Sequence, residues 1–238
     1  MDKLIPHSLP DTVSPREKKQ WENTLTAGVI AQSLVGGIAV GGTAAAIYAG
    51  HRLSMDTDHL MMNLRGHFDE VLDKLCKSKE WKTARLQRPV LILGSISDCE
   101  VGFRQSLRTL PIETIKAETA FGELEIPTLD EMIGMKALLL YRRKVLRDFL
   151  DFAALAECTT DDEVLKSLLK LDERYGELQT NSLRLDISRA LVIPEPVDLE
   201  GTDISHYRSL APEWHDWTRT AGICKKFGFM LGELIVQS

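Results

Sequence analysis

The sequence contains few of the residues and motifs that identify common classes of small protein. Its cysteines are scattered singly, without the close pairs of a zinc site or a small disulfide scaffold: Cys76, Cys99, Cys158 and Cys224. No Walker loop, Gly-x-Ser-x-Gly elbow or His-Glu-x-x-His pair occurs. The usual P-loop, serine-hydrolase and zinc-protease interpretations therefore have no support. We expect a reducing, cytoplasmic environment and no structural metal.

Formal charge is missing between Glu22 and Arg52, and a hydropathy scan could mark part of this run as membrane-spanning. Six glycines interrupt the run, and the two Gly-Gly pairs among them are poor helix interior. We therefore predict a buried helix, a strand and a turn, with no membrane association. A membrane tether through residues 25–50 is the opposing interpretation. Residues 1–20 are polar and contain three prolines, unlike a signal peptide.

The overall composition is that of a globular protein. A chain of 238 residues with 44% hydrophobic residues can bury a sizeable core. The net charge of -6 argues against broad, charge-driven binding to nucleic acid, although a local basic groove can exist on an acidic protein.

Periodicity and capping signals divide the chain into two parts. Ser14-Pro15-Arg16-Glu17 predicts a helix start, and the helix should run to about residue 34. A short strand at 38–40, a helix at 43–49, a strand at 55–62 and a helix at 68–76 should follow. Three stretches rich in β-formers, 89–96, 99–107 and 113–126, should extend the same sheet.

The remainder should be mostly helical, because capping-box patterns occur at Thr128/Glu131 and at Thr160/Glu163. The predicted class is α+β. Residues 1–127 should form a small mixed β-sheet flanked by helices, and residues 128–238 a helical C-terminal domain.

A phosphate-binding turn and a metal-binding pair are predicted close together. Gly41-Gly42-Thr43 should lead into a helix, whose free N–H groups and dipole favour phosphate. The glycines allow close approach, and the threonine hydroxyl is a further donor. Asp56 and Asp58 alternate along a strand, so both carboxylates should lie on one face and suit Mg²⁺ or Mn²⁺. Such a metal can serve nucleotidyl transfer.

In two blocks of sequence the chain resembles the AbiEii-type nucleotidyltransferase toxins, a branch of the DNA polymerase beta-like nucleotidyltransferase superfamily. The first block of the resemblance is Gly41-Gly42-Thr43-Ala44, Gly50-His51-Arg52-x-Ser54 and Asp56-x-Asp58. The second is Pro127-Thr128-Leu129-Asp130-Glu131, Lys136-Ala137, Arg143 and Arg147-Asp148-x-x-Asp151. Together the two blocks cover about residues 35–157.

Two interpretations of the second block stay open. On one continuous helix, Lys136, Arg143, Arg147 and Asp151 would form a cationic stripe suited to a triphosphate or an RNA backbone. The alternative is a solvated face stabilised by an Arg147–Asp151 ion pair. The resemblance implies that Lys136 contacts the triphosphate, and that Asp148 or Asp151 orients the basic groups or serves the chemistry.

The resemblance implies transfer of NMP from an NTP to an acceptor hydroxyl, notably the 3′ end of tRNA, by a toxin with a separately encoded antitoxin protein. Asp56 and Asp58 would hold the metal, and Lys136 and Asp148 would complete the catalytic set. Nucleotide contacts are expected from the turn and from basic side chains: Gly41, Gly42, Thr43, Arg52, Arg143 and Arg147.

One position departs from the family pattern. A third carboxylate commonly follows in a Val-Asp-Phe context, and here that place reads Val101-Gly102-Phe103. Glu100 and Asp98 both lie nearby. Alternation puts Glu100 on the same face as Gly102, with Asp98 beside them, and Glu100 is the expected substitute as a metal ligand. If it does not substitute, the chain is a catalytically degenerate member of the fold that binds a nucleotide or a protein partner.

Overall fold

The computed structural model describes residues 3–178, 181–207 and 209–237. The chain folds into two compact units, Met1–Thr128 and Leu129–Ser238. The first contains all the strands in the described ranges, and the second is helical. The predicted α+β class, with a mixed sheet flanked by helices and a helical C-terminal part, is confirmed.

The first unit opens with a helix whose start is set by local sequence. Helix α1 spans Pro15–Val35. The Ser14 hydroxyl accepts a hydrogen bond from the Glu17 N–H, and the Glu17 carboxylate accepts one from the Ser14 N–H at 2.9 Å. This reciprocal pair satisfies two N–H groups that an α-helix leaves without partners. The predicted capping box is therefore confirmed.

Five strands form the main sheet, in the order β1-β2-β5-β4-β3. Their bounds are Ile38–Val40, Asp56–Met61, Trp81–Gln87, Leu91–Ile96 and Cys99–Gln105 for β1 to β5. Strands β2 and β5 run parallel and every other pair is antiparallel, which makes the sheet mixed. Helix α2, Gly41–Ala49, connects β1 to β2, and α3, Leu64–Lys77, follows β2.

The two faces of this sheet differ in character. One face packs on α1 and α3 in a core cluster that includes Ala27, Phe68, Val101 and Phe103. Strand side chains alternate between faces, so Asp56 and Asp58 point away from this core while Thr57 and His59 are buried. The partly open face of β2 therefore carries the acidic residues.

The sheet prediction was wrong in two respects. Residues 113–126 do not extend the main sheet: β6 (Thr114–Thr119) and β7 (Gly122–Pro127) pair only with each other among the sheet strands described. Strand β3 was not predicted. It is an edge strand that is exposed from Lys82 onward, so it lacks the apolar alternation by which a half-buried strand is recognised.

The second unit consists of helices α4 to α9. Their bounds are Leu129–Arg143, Leu146–Ala156, Asp161–Leu169, Leu171–Tyr175, Leu183–Val192 and Trp217–Gln237. The predicted Thr160/Glu163 capping box starts α6. Trp214 is buried in a short 3-10 turn, and Trp217 meets Phe149 edge-on with ring centroids 5.9 Å apart. Both tryptophans are packing residues of this unit.

Across the described ranges, the helices are too short or too polar to cross a bilayer. Residues 25–50, where a tether was the opposing interpretation, fold as the end of α1, then β1 and α2. The glycine pairs lie at the junctions between these elements, as the breaker pattern predicts.

The burial of His59 predicts that the first unit loses stability in acid. His59 has no exposed surface and stacks on Phe103 with ring centroids 5.2 Å apart. Burial lowers the pKa of His59 from 6.5 to about 4, because the imidazolium would lose its hydration. Above pH 6.5 the His59 ring is neutral in the folded and in the unfolded chain, so protonation of His59 does not lower the free energy of unfolding. Below it only the unfolded chain takes up the proton, and stability falls until about pH 4.

We expect this residue to cost about 3 kcal/mol of unfolding free energy between pH 6.5 and 4. Urea unfolding at a series of pH values measures the slope, and His59→Leu should reduce it. The control is His67→Leu, because His67 is exposed on α3. Equal slopes in the wild type and His59→Leu would show that another group causes the acid sensitivity.

Candidate functional site

The turn between β1 and α2 is shaped by two glycines. Gly41 has φ +75°, a conformation that side chains disfavour. A Cβ at Gly42 would lie 2.7 Å from Nη2 of Arg52 and 2.9 Å from Oγ of Ser54, so a larger residue would have to displace these buried side chains. The N-cap residue of α2 is Val40, whose side chain makes no capping hydrogen bond. The first N–H groups of α2 are therefore not occupied by an N-cap side chain.

This turn lies against the two aspartates of β2. An added Cβ at Gly41 would be 3.9 Å from Oδ2 of Asp58, and the Thr43 hydroxyl donates to the Asp56 carbonyl oxygen at 2.6 Å. The Ser54 hydroxyl donates to Oδ1 of Asp56 at 2.8 Å. The structure thus brings the Gly-Gly-Thr turn and the Asp-x-Asp pair into one place.

Two of the residues expected to bind nucleotide have structural partners. Thr43 is fully buried, and its hydroxyl links α2 to β2 through the hydrogen bond to Asp56. Phosphate binding by that hydroxyl stays a prediction. Arg52 is 1% exposed and its Nη1 donates to the Leu53 carbonyl oxygen. Its guanidinium lies beside Gly42, where it holds the turn from the inside and adds positive charge beneath it.

The parallel pairing of β2 with β5 defines the rest of the site. Asp56 is in register with Glu100, and Asp58 with Gly102. A Cβ at Gly102 would lie 2.4 Å from Oδ1 of Asp58. That oxygen accepts a hydrogen bond from Nε of Arg104 at 3.0 Å. Asp58 has therefore turned into the space that a side chain at position 102 would need.

Arg104 did not figure among the predicted site residues. The signal that could have found it is alternation, since it lies two residues beyond Gly102 on the same strand and so faces the same side. Its side chain is 42% exposed and that of Asp58 is 32% exposed. The site therefore has the positively charged Arg104 side chain beside Asp58.

Asp56 and Asp58 have the oxygen ligands that a divalent cation prefers. Mg²⁺ is commonly held by one or two carboxylates together with phosphate oxygens and water. Asp56 and Asp58 can provide the carboxylates. Over the described ranges, no three His, Cys, Asp or Glu side chains are grouped so that they could hold a metal. Glu100 is exposed and stands outside such a group, so its role as a ligand stays a prediction.

The second sequence block does not lie on one helix. Helix α4 ends at Arg143, Lys144 has φ +52°, and α5 begins at Leu146. The single cationic stripe expected over residues 136–151 is therefore wrong, because the break turns the residues after it onto a different axis.

What the break creates is a buried ion cluster between α4 and α5. Nζ of Lys136 lies 2.7 Å from Oδ2 of Asp151 and 3.4 Å from Oδ1 of Asp148. All three side chains are at most 4% exposed. Oδ2 of Asp148 accepts no hydrogen bond in the described part of the chain, and Nη1 of Arg143 approaches it to 4.0 Å.

The two arginines of this block differ from the lysine. Arg143 is about half exposed, and Arg147 is partly exposed and makes no ion pair with any described residue. The Arg147–Asp151 pair, which was the alternative interpretation, does not form because Asp151 is bound to Lys136. The structure therefore leaves these arginines toward solvent and keeps Lys136 inside.

The fold resembles solved structures, among them two from Helicobacter pylori. A protein from H. pylori, described as a candidate nucleotidyltransferase, matches with a TM-score of 0.53 and 16% identity, over 94% of this chain and 98% of its own. JHP933 from Helicobacter pylori matches with a TM-score of 0.54 and 15% identity, over 95% and 96%. No protein-family model matches this chain, and no curated protein matches it. At such identities the likeness shows a nucleotidyltransferase-like fold, and activity has to be argued from the site.

The three charges of the buried cluster should depend on one another for stability. Lys136→Met would leave two carboxylates without their cation, so we expect a loss of about 3–5 kcal/mol in unfolding free energy. Adding Asp148→Asn and Asp151→Asn should recover most of this loss, because the cluster then contains no charge. Urea denaturation followed by circular dichroism measures both.

The matched control is Lys226→Met, which breaks the exposed pair with Asp161 in the same unit. That change should cost about 1 kcal/mol or less, because solvent screens an exposed ion pair. A Lys136→Met variant as stable as the control would contradict a structural role for the cluster.

Proposed function

We propose that the protein is a nucleotidyltransferase that moves NMP from an NTP to an acceptor hydroxyl. The observation that carries this proposal is the Gly41-Gly42-Thr43 turn lying directly against Asp56 and Asp58. A glycine turn at a helix start offers N–H groups to phosphate, and paired carboxylates beside it can receive the cation that accompanies a triphosphate. The nucleotidyltransferase-like fold supports the same class.

The residues of the first unit would divide the task. The N–H groups at the start of α2 would bind phosphate oxygens, and the buried Arg52 would keep the turn in place and favour negative charge there. Asp56 and Asp58 would hold Mg²⁺ or Mn²⁺, which would neutralise charge on the triphosphate and on the leaving pyrophosphate. Ser54 would orient the Asp56 carboxylate through its 2.8 Å hydrogen bond.

The proposed roles of the second block rest on the family resemblance. Contact of Lys136 with the triphosphate would require it to leave two buried aspartates, so its geometry favours a positioning role between α4 and α5. Arg143 and Arg147 are accessible cations and are the better candidates of this block for an NTP or RNA backbone. Asp148 would orient Arg143 across the 4.0 Å that separates them.

The acceptor and the biological setting are likewise proposed from the AbiEii-type resemblance. The acceptor would be RNA, with the 3′ end of tRNA as the first choice, and the protein would be the toxin of a pair with a separately encoded antitoxin. These finer proposals depend on the activity test below.

A second function is favoured by the geometry at Gly102. Without a third carboxylate, and with Asp58 bound to Arg104, the site is short of a general base for the attacking hydroxyl. A catalytically degenerate member of the fold would bind a nucleotide or a protein partner and release no product.

The test is transfer of label from each of four α-labelled NTPs to total RNA, with Mg²⁺ or with EDTA. We expect labelling with Mg²⁺, and loss of at least about a hundredfold in Asp56→Ala/Asp58→Ala, because the charges that hold the cation are gone. Asp73→Ala is the control, since Asp73 is an exposed acid on α3.

Labelling that survives in the double variant would reject the site assignment. Folded wild-type protein that binds an NTP and yields no labelled RNA would support the degenerate function instead.

A further inference from the structure

Gly102 and Arg104 form one arrangement on the open face of β5. The absent side chain at position 102 leaves room for Oδ1 of Asp58, which would otherwise be 2.4 Å from the added Cβ. In that position Oδ1 is 3.0 Å from Nε of Arg104. The loss of a side chain at one position and the ion pair two residues further on are therefore physically linked.

The guanidinium of Arg104 is only partly used by this pair. Nε serves Asp58, while Nη1 and Nη2 donate to no acceptor in the described part of the chain. The side chain is 42% exposed. Two parallel N–H donors at the end of an arginine match two oxygens of a phosphate group, and the contact is charge-assisted.

The position of this cation also matters for nucleotide binding. Asp56 and Asp58 repel a triphosphate unless a cation lies between them, and no third possible metal ligand among the described residues is grouped with them. Arg104 neutralises Asp58 and shares its face of the sheet. Asp58 accepts from Arg104 through Oδ1 while its Oδ2 faces Gly41, so one carboxylate links this arginine to the glycine turn that would bind phosphate.

We propose that Arg104 is a phosphate-binding residue that replaces the third carboxylate and the cation it would help to bind. Its Nε holds Asp58, and its Nη1 and Nη2 bind oxygens of the triphosphate, so that the nucleotide binds with one divalent cation or with none. This inference rests on the proposed function, because it needs the site to receive an NTP.

The experiment is calorimetric titration of the wild-type protein with ATP, GTP, CTP and UTP, in EDTA and in Mg²⁺. We expect binding in both buffers and a rise in Kd of about tenfold or more for Arg104→Gln in EDTA, from the loss of a charge-assisted contact. Arg104→Lys should recover part of the affinity, because it restores the charge without the fork. In Mg²⁺ the effect of Arg104→Gln should be smaller, since the metal carries part of the charge.

Arg85→Gln is the matched control, because it removes the same charge from an exposed arginine on β3, at the far edge of the sheet. It should bind every nucleotide as the wild type does. Thermal unfolding midpoints of all variants, which should equal that of the wild type, test whether the substitutions leave the fold intact.

Three results would overturn the inference. If Arg104→Gln binds as tightly as the wild type in both buffers, Arg104 does not contact phosphate, and the proposed function stands. If Arg104→Gln binds Mg²⁺-NTP more tightly than the wild type, Arg104 competes with the metal for Asp58 and does not bind phosphate. If the folded wild type binds no NTP in either buffer, the proposed function fails and the inference fails with it.

Discussion

The hydrogen-bonded pairing of β2 with β5 is the constraint on which the site depends. It places Asp58 beside Gly102 and sets Arg104 on the same face, while Val101 and Phe103 on the opposite face enter the core with α1 and α3. A shift of one residue in this register would exchange the two faces and put charge into the core. The packing of one face therefore fixes the side chains presented by the other.

The charges of the two units are handled in different ways. In the first unit Arg52 is buried under the α2 turn, while Asp56 and Asp58 stay partly open to solvent. In the second, Lys136 and its aspartate partners are enclosed between α4 and α5. Removing one member of such a buried cluster leaves an unpaired charge without solvent, whereas an open pair can exchange partners when a ligand arrives.

Fold and site carry different weight for function. The two Helicobacter structures share the architecture across nearly the whole chain at 15–16% identity, which is too low for residue roles to be transferred. The local geometry is more specific, because a glycine turn, two aspartates and a partly free guanidinium occur together on one face. That geometry supports the proposed nucleotide binding, and the absence of a side chain at position 102 is what lets Asp58 pair with Arg104.

The sequence by itself determined those features that depend on neighbours along the chain. These were the Ser14 capping box, the glycine breaks around β1, the alternation that puts Asp56 and Asp58 on one face, and the change to helix after residue 127. Each follows from backbone geometry or from the hydrogen bonds of residues a few positions apart.

Only the tertiary structure decided which distant residues meet. It paired Asp58 with Arg104, placed Arg52 under Gly42, separated β6 and β7 from the main sheet, and broke the helix at Lys144 so that Lys136 faces Asp151. Strand order and packing depend on contacts between residues far apart in the chain. Local periodicity does not encode those contacts. The pairing of Asp58 with Arg104 therefore depends on the register of β2 and β5, which the sequence pattern did not predict.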